Sequence, residues 1–460
     1  MSSVDRSRLP IPGPPPTFRF PPVLKRQLPN GLRVWTIEHR LSPVLSAVLV
    51  VRSGAAADPL DRPGLAALTG DMLDEGSGHR SALDVQDALA RLGADLDTEV
   101  SADATALLLT TLARHGRRAL EILSDIAARP RLAEEDFLRV RDLRLNRLLQ
   151  LRHVPSALAD KAFLEHLYRD HPYGHLAIGT EAGLRGINLP DVVSFHASRV
   201  RPPGAVLILV GDLTHDDGLR AAAEAFGSWT DGSETAPVFD RDADLAQGLD
   251  GAGRGVAIVD RPRAPQAELR IGQVGSDRRD PQYHALVVLN AILGGQFVSR
   301  INMKLRQEKG LTYGARTAFE FRRGRGPFTL ATSVDTAATV DAVREALAEL
   351  GDIRGARPAE AGELALAKAS LTSGYARHFE SAEQLARAAA QLALYDLPDD
   401  YFDRFVPLVE RVQVDEVTRV AQQRLDPDGL LTVIVGDYAS MGPGLGALGI
   451  GEPTLVGGAT

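Results

Sequence analysis

Two stretches of this chain end in the same way. Val206-Leu207-Ile208-Leu209-Val210-Gly211-Asp212 and Leu431-Thr432-Val433-Ile434-Val435-Gly436-Asp437 are apolar runs closing on Val-Gly-Asp, 225 positions apart. Each reads as a buried strand with a turn at its end. Each also follows a helix-like segment, Leu189 to Val200 in one case and Val414 to Leu425 in the other, across a Pro/Gly turn (Pro202-Pro203-Gly204 and Pro427-Asp428-Gly429). A repeat of this period implies a duplicated domain rather than a solenoid of short units.

Other segments follow the same offset loosely. Gly31–Ile37 and Gly255–Asp260 read as opening strands, Ala47–Arg52 and Ala267–Gly272 as second strands, and Leu65–Leu73 and Tyr283–Leu293 as apolar helices. Thr105–Leu112 and Pro327–Ser333 alternate as strands do. Helices follow at Arg117–Ala127 and Thr339–Leu350, then longer ones at Glu134–His153 and Ala359–Tyr375. Strands and long helices are mixed without regular βαβ alternation. The expected class is α+β: two homologous domains, each a mainly antiparallel sheet with helices packed on one face.

The chain has 460 residues, enough for several domains, and 44% of them are apolar, enough for sizeable cores. A Pro-rich N-terminal arm (1–24) holds Pro14-Pro15-Pro16 and reads as a disordered tail, or else as an arm lying along a partner. The first domain is expected at 25–227, a polar and Gly-rich linker at 228–254, the second domain at 255–440, and a fraying Gly-rich tail at 441–460. A formal charge of -8 argues against nucleic acid as a partner. No apolar run reaches the ~20 residues of a membrane span. The absence of cysteine excludes disulfides and thiolate metal sites. The opening residues lack the apolar core of a signal peptide, so cytoplasm is the default compartment; periplasm remains open if a leader has been removed. The Ala- and Arg-rich composition suggests a bacterial source.

Several motifs in fixed order carry a resemblance: Leu28-Pro29-Asn30-Gly31-Leu32, Arg80-Ser81-Ala82, Leu92-Gly93-Ala94, His171-Pro172-Tyr173-Gly174 with Gly179-Thr180, and above all Phe297 to Gly314. The chain resembles the insulinase family of zinc peptidases, which includes pitrilysin and the mitochondrial processing peptidases, from about Leu28 to Asp437. The resemblance implies two tandem domains forming a half-shell. In the family, an Arg and a Tyr seven apart in the Phe297–Gly314 segment bind the substrate backbone near the cleaved bond. They fall here on Arg306 and Tyr313. An Arg offers five donors and a Tyr hydroxyl is a neutral donor for a developing oxyanion. Without the resemblance, an exposed helix-end Arg and a core Tyr would be the plainer reading.

The family's inverted zinc motif, His-x-x-Glu-His, would fall within Gly64 to Gly76. Ala67 stands at the first His, Gly70 at the Glu and Asp71 at the second His. A catalytic zinc needs about three protein ligands and a base for its water. The third ligand, a Glu in the family, would fall on Asn146 or Arg147. Asp71, Asp74 and Glu75 read as a solvated acidic turn. His166, His171 and His175 straddle a loop in no known metal arrangement and read as structural.

The resemblance therefore implies a non-catalytic, substrate-binding subunit of a two-chain zinc peptidase, inactive alone. No metal is expected in this chain. The zinc is expected on an insulinase-family partner, and extended peptides are the expected substrates, bound by strand addition. Two alternatives stand beside this: a scaffold subunit resembling the core proteins of the respiratory quinol–cytochrome c reductase, or a stand-alone peptide-binding homodimer. Gly294-Gly295 reads either as a mobile chamber wall or as an ordinary helix C-cap.

Overall fold

A computed structural model describes residues 18–230, 245, 249 and 254–457. Two six-stranded sheets dominate it. The first contains β1 (Leu24–Gln27), β2 (Arg33–Glu38), β3 (Val44–Val51), β6 (Asp95–Val100), β7 (Thr105–Leu112) and β8 (Ala205–Gly211), in the order β1-β2-β8-β3-β7-β6. A small separate hairpin pairs β4 (Gly76–Ser77) with β5 (Arg80–Ser81). The second sheet contains β9 (Gly255–Asp260), β10 (Gln266–Val274), β11 (Ala315–Phe319), β12 (Pro327–Asp335), β13 (Leu431–Gly436) and β14 (Pro453–Leu455), in the order β11-β12-β10-β13-β9-β14.

The two sheets share one plan, which is the duplication seen in the sequence. The Val-Gly-Asp strands β8 and β13 are central. Each runs parallel to its opening strand, β2 or β9, and antiparallel to the next, β3 or β10. The long-range pairings β3–β7 and β10–β12 are antiparallel, and β6 and β11 are the corresponding edge strands. The other edges differ. The first sheet closes with β1, from the start of the chain, while the second closes with β14, from its end.

The central strands are buried at every position, and apolar apart from Thr432, because both of their faces are covered. Leu207 and Leu209 of β8 face a core with the helix Gly116–Ala128 and the helix His215–Phe226 of the same half. Val206, Ile208 and Val210 face the helix Ala382–Tyr395, which comes from the second half and presents Leu385, Ala389 and Leu392. The second sheet is treated reciprocally. Ile434 of β13 packs in its own half's core with the helix Tyr283–Leu293 and the helix Thr339–Asp352. Leu431, Val433 and Val435 face Ala159, Phe163 and Leu167 of the helix Pro155–Tyr168, which comes from the first half. Each half thus covers one face of its own sheet with its own helices and lends a single helix to the other.

The ends of the chain depart from expectation. Residues 1–17 of the Pro-rich arm and most of the expected linker lie outside the described residues. The arm's last aromatics, Phe18 and Phe20, pack on Phe379 of the second half, the first stacked and the second edge-on. The Gly-rich tail does not fray at Ser440. Tyr438–Gly446 is helical with Met441 and Leu445 buried, and β14 then adds to the second sheet. A fray was expected from glycine content alone; two buried side chains and an available strand edge outweigh it.

Candidate functional site

The degenerate zinc motif lies on the helix Leu65–Met72. Its N-terminus is held by Asp58, whose two carboxylate oxygens accept from the backbone N–H groups of Gly64 (2.6 Å) and Ala66 (2.7 Å). Such a carboxylate satisfies orphan donors and suits the helix dipole. Ala67 is buried and offers no donor atom. At Gly70 the edge strand β6 presses on the helix: a Cβ there would sit 2.8 Å from Val100 Cγ2. The position that would hold a general base is filled by a valine methyl from the facing strand.

Asp71 is not part of a solvated acidic turn. It accepts from the Arg144 guanidinium, whose side chain is only 13% exposed and which also donates to the Ala177 carbonyl (3.3 Å). Arg144 belongs to the long helix Glu134–Leu151 that would supply the third ligand. The residues expected at that ligand position, Asn146 and Arg147, are exposed. The cation facing Asp71 is therefore Arg144, one helical turn earlier, because successive turns of a helix present residues three and four apart to one face. Glu75 is likewise paired, with Arg139. Asp74 is half-buried, and burial together with Glu75, Asp71 and Asp97 raises its pKa to about 6. A buried alanine, a glycine under a valine and a carboxylate already neutralised by arginine do not fit a zinc ion. Among the described residues no three His, Cys, Asp or Glu side chains stand together as a metal site.

Of the three histidines, His166 lies on the helix Pro155–Tyr168 and His171 and His175 in the loop after it. His166 Nδ1 is 2.7 Å from the Ala162 carbonyl, within its own helix. His171 is buried between Tyr168 and Tyr173, and burial lowers its pKa. The Tyr173 hydroxyl donates to buried Asp103 (2.5 Å) and accepts from the Gly324 N–H (3.0 Å), tying the two halves together.

Arg306 and Tyr313 line one open cleft of about 540 Å³ at the edge of the second sheet. Arg306 lies in a wide helical turn, Met303–Glu308, with its guanidinium 4.5 Å from the centre of the Phe297 ring. That contact orients the guanidinium without consuming its donors in an ion pair. Tyr313 is 91% exposed, so the plainer expectation of a core tyrosine fails. Its neighbours hold the loop: the Thr312 hydroxyl donates to the Ser333 carbonyl (2.7 Å), and Asn302 Oδ1 accepts from the Ala315 N–H (3.1 Å). The cleft floor is one cross-strand row, Arg270, Ala331 and Arg316, with Arg270 held by Asp160 (2.6 Å) and Glu268 (3.1 Å). The same row continues into a second cavity of about 470 Å³, which reaches His175 and Ala177 of the first half. Arg144 donates to that same Ala177 carbonyl, so the degenerate motif borders this continuous space.

Gly294 proves to be a helix C-cap packed against β11, where a Cβ would meet the Thr317 backbone nitrogen at 2.6 Å. The residues that sequence reasoning missed are Arg144 and Val100. No local signal marks either; only the approach of the 134–151 helix and β6 to the 65–72 helix reveals them.

Comparison with known proteins follows the same lines. The family description "Insulinase (Peptidase family M16)" matches residues 33–181, and "Peptidase M16 inactive domain" matches residues 186–371. An uncharacterized zinc protease of Mycobacterium leprae is 26% identical over 425 residues, covering 91% of this chain and 92% of that protein. A crystal structure of a peptidase M16 inactive domain from Pseudomonas fluorescens superposes with a TM-score of 0.81 at 24% identity, covering 90% of this chain and 98% of that one. A chain of complex III from Candida albicans has the same fold, with a TM-score of 0.76 at 15% identity, covering 93% and 100%. With both family domains matched in tandem and the fold shared along nearly the whole length, the chain belongs to the insulinase family, peptidase family M16.

Proposed function

We propose that this chain is the non-catalytic, peptide-binding subunit of a two-chain insulinase-like zinc peptidase. The observation that carries the reading is a contrast within one molecule. The catalytic positions are filled by Ala67, by Gly70 under Val100, and by Asp71 paired to Arg144. The Arg306–Tyr313 pair remains presented to an open cleft. A scaffold has no need of a tyrosine 91% exposed beside an arginine free of carboxylate partners among the described residues.

The metal chemistry belongs to the partner. This chain supplies donors in trans: Arg306 to the substrate backbone, and the Tyr313 hydroxyl to charge developing on the carbonyl oxygen. The unpaired edges of β6 and β11 are suited to take an extended peptide as an added strand. The shared fold with a complex III chain keeps a scaffold role as the competing reading.

The test is co-expression with a zinc-bearing insulinase-family chain, followed by size-exclusion chromatography and a peptide cleavage assay. Tyr313→Phe should lower turnover of the complex by about 10²–10³, the usual cost of one oxyanion donor. Arg306→Ala should also weaken peptide binding. Both variants should assemble and melt near the parent. Variant complexes that assemble and cleave at the parent rate would leave the scaffold reading as the better one.

A further inference from the structure

A separate pocket of about 440 Å³ shares no lining residue with the peptide cleft or the cavity that continues it. It forms where residues 278–284 meet the turn 396–401. The helices Tyr283–Leu293 and Tyr401–Arg411 both begin there, so two positive helix ends converge.

The side chains add to that field. Arg278 is 7% exposed, and its guanidinium lies 4.1 Å from the centre of the Tyr283 ring and 4.7 Å from that of Tyr401. It donates to the Tyr401 hydroxyl and has no carboxylate partner among the described residues. Arg279 and Arg404 stand exposed at the rim; the nearest carboxylate to Arg404 is Asp400, loosely placed at 3.8 Å. The two carboxylates on the wall are held by cations from outside the pocket, Asp280 by Arg424 (2.9 Å) and Asp396 by Arg52. His284 Nε2 is buried without a hydrogen-bond partner. The pocket thus holds an excess of positive charge, with a buried and unbonded imidazole nitrogen in its wall.

We propose that this pocket binds a phosphate group, as free phosphate or on a small phosphomonoester. Three arginines suit a dianion better than a carboxylate, and the guanidinium fork matches phosphate oxygens in pairs. The start of the helix Tyr401–Arg411 favours the same ligand, while that of Tyr283–Leu293 is already capped by Asp280, which accepts from the Gln282 N–H (2.8 Å). The histidine is consistent with it. Burial, with Arg278 and Arg404, pushes the His284 pKa down to about 4, and an anion screening those arginines would pull it back up.

Titration calorimetry on the full chain tests this, with inorganic phosphate, glycerol 3-phosphate and acetate, each against chloride at matched ionic strength. Phosphate or its ester should bind saturably at one site, with acetate at least about tenfold weaker. Tighter binding of the ester assigns the ester as the ligand, and tighter binding of phosphate assigns the free ion. The rim double variant Arg279→Gln/Arg404→Gln replaces only exposed side chains and should weaken binding about tenfold or more while melting as the parent does without phosphate. Arg278→Gln should abolish binding. In NMR the His284 titration midpoint should rise on adding phosphate. No saturable binding above chloride, or binding that the rim double variant leaves unchanged, overturns the proposal.

Discussion

Replacing Gly70 by alanine pits two known effects against each other. In a helix interior glycine costs about 0.8–1.0 kcal/mol relative to alanine, so on propensity alone Gly70→Ala would stabilise by that amount. The new Cβ, however, would meet Val100 Cγ2 at 2.8 Å and Thr98 Cγ2 at 3.5 Å. The first distance is too short to keep, and a β-branched valine has few rotamers in which to retreat. Overpacking of this kind costs about 1–3 kcal/mol. The expected balance is a net loss of about 0–2 kcal/mol. Val100→Ala opens the space, so in that background Gly70→Ala should stabilise by about 0.5–1 kcal/mol. The coupling across the four-variant cycle should be about 1–3 kcal/mol, read from urea unfolding at constant slope. If Gly70→Ala stabilises the parent by its full propensity and shows no coupling to Val100, β6 is not pressed on the helix and the reasoning fails. The result bears on function, because a glutamate at Gly70 would need β6 to move as well.

Other outcomes can be checked separately. The dialysed chain should hold no stoichiometric zinc by metal analysis, and Ala67→His alone should bring neither metal nor cleavage; one zinc per chain, lost on mutating Asp71, would overturn this. Asp71→Ala should destabilise by about 1–3 kcal/mol, because it strands a largely buried guanidinium, and Arg144→Leu in the same chain should recover most of the loss in thermal or urea unfolding. Asp74 has a folded pKa raised from 3.8 to about 6 by burial and its acidic neighbours, so its contribution is full at low pH and is lost as pH rises through 6. Asp74→Asn should therefore stabilise at pH 7 by on the order of 1–2 kcal/mol and by much less at pH 4. A pH-independent effect would show that the carboxylate is not strained.

The sequence disclosed much of the fold because the informative elements bury themselves in simple patterns. β9, β7 and the helix Tyr283–Leu293 stand at the expected residues, since apolar runs between turn residues leave few choices. It did not disclose β6, whose Asp95-Leu96-Asp97-Thr98-Glu99-Val100 run is acidic for a strand and is stabilised by its pairing with β7. Nor did it disclose that the helices 155–168 and 382–395 cross to the other half, because a helix's pattern says that one face is buried but not against what. Arg306 and Tyr313 could be picked out from their motif, and the structure brings them to one cleft. The Asp71–Arg144 pair escaped notice because it joins residues 73 positions apart through the relative rotation of two helices. Gly70 could be read only as a missing Glu; the close approach of Val100 that it permits was not visible.

The reciprocal loan of helices has a consequence during synthesis. The first sheet has all its strands once β8 leaves the ribosome, yet Val206, Ile208 and Val210 stay bare until residues 382–395 emerge. At ordinary elongation rates that interval is roughly 10–40 s. For that time the nascent chain carries an apolar sheet face wide enough to attract chaperones or other nascent chains. It should therefore behave as one late-closing unit rather than as two beads finished in turn. The same arrangement makes the covalent link between the halves less important than their mutual coverage. Two separately expressed halves, cut within residues 231–244, should each be poorly soluble alone and should recover native secondary structure when produced together.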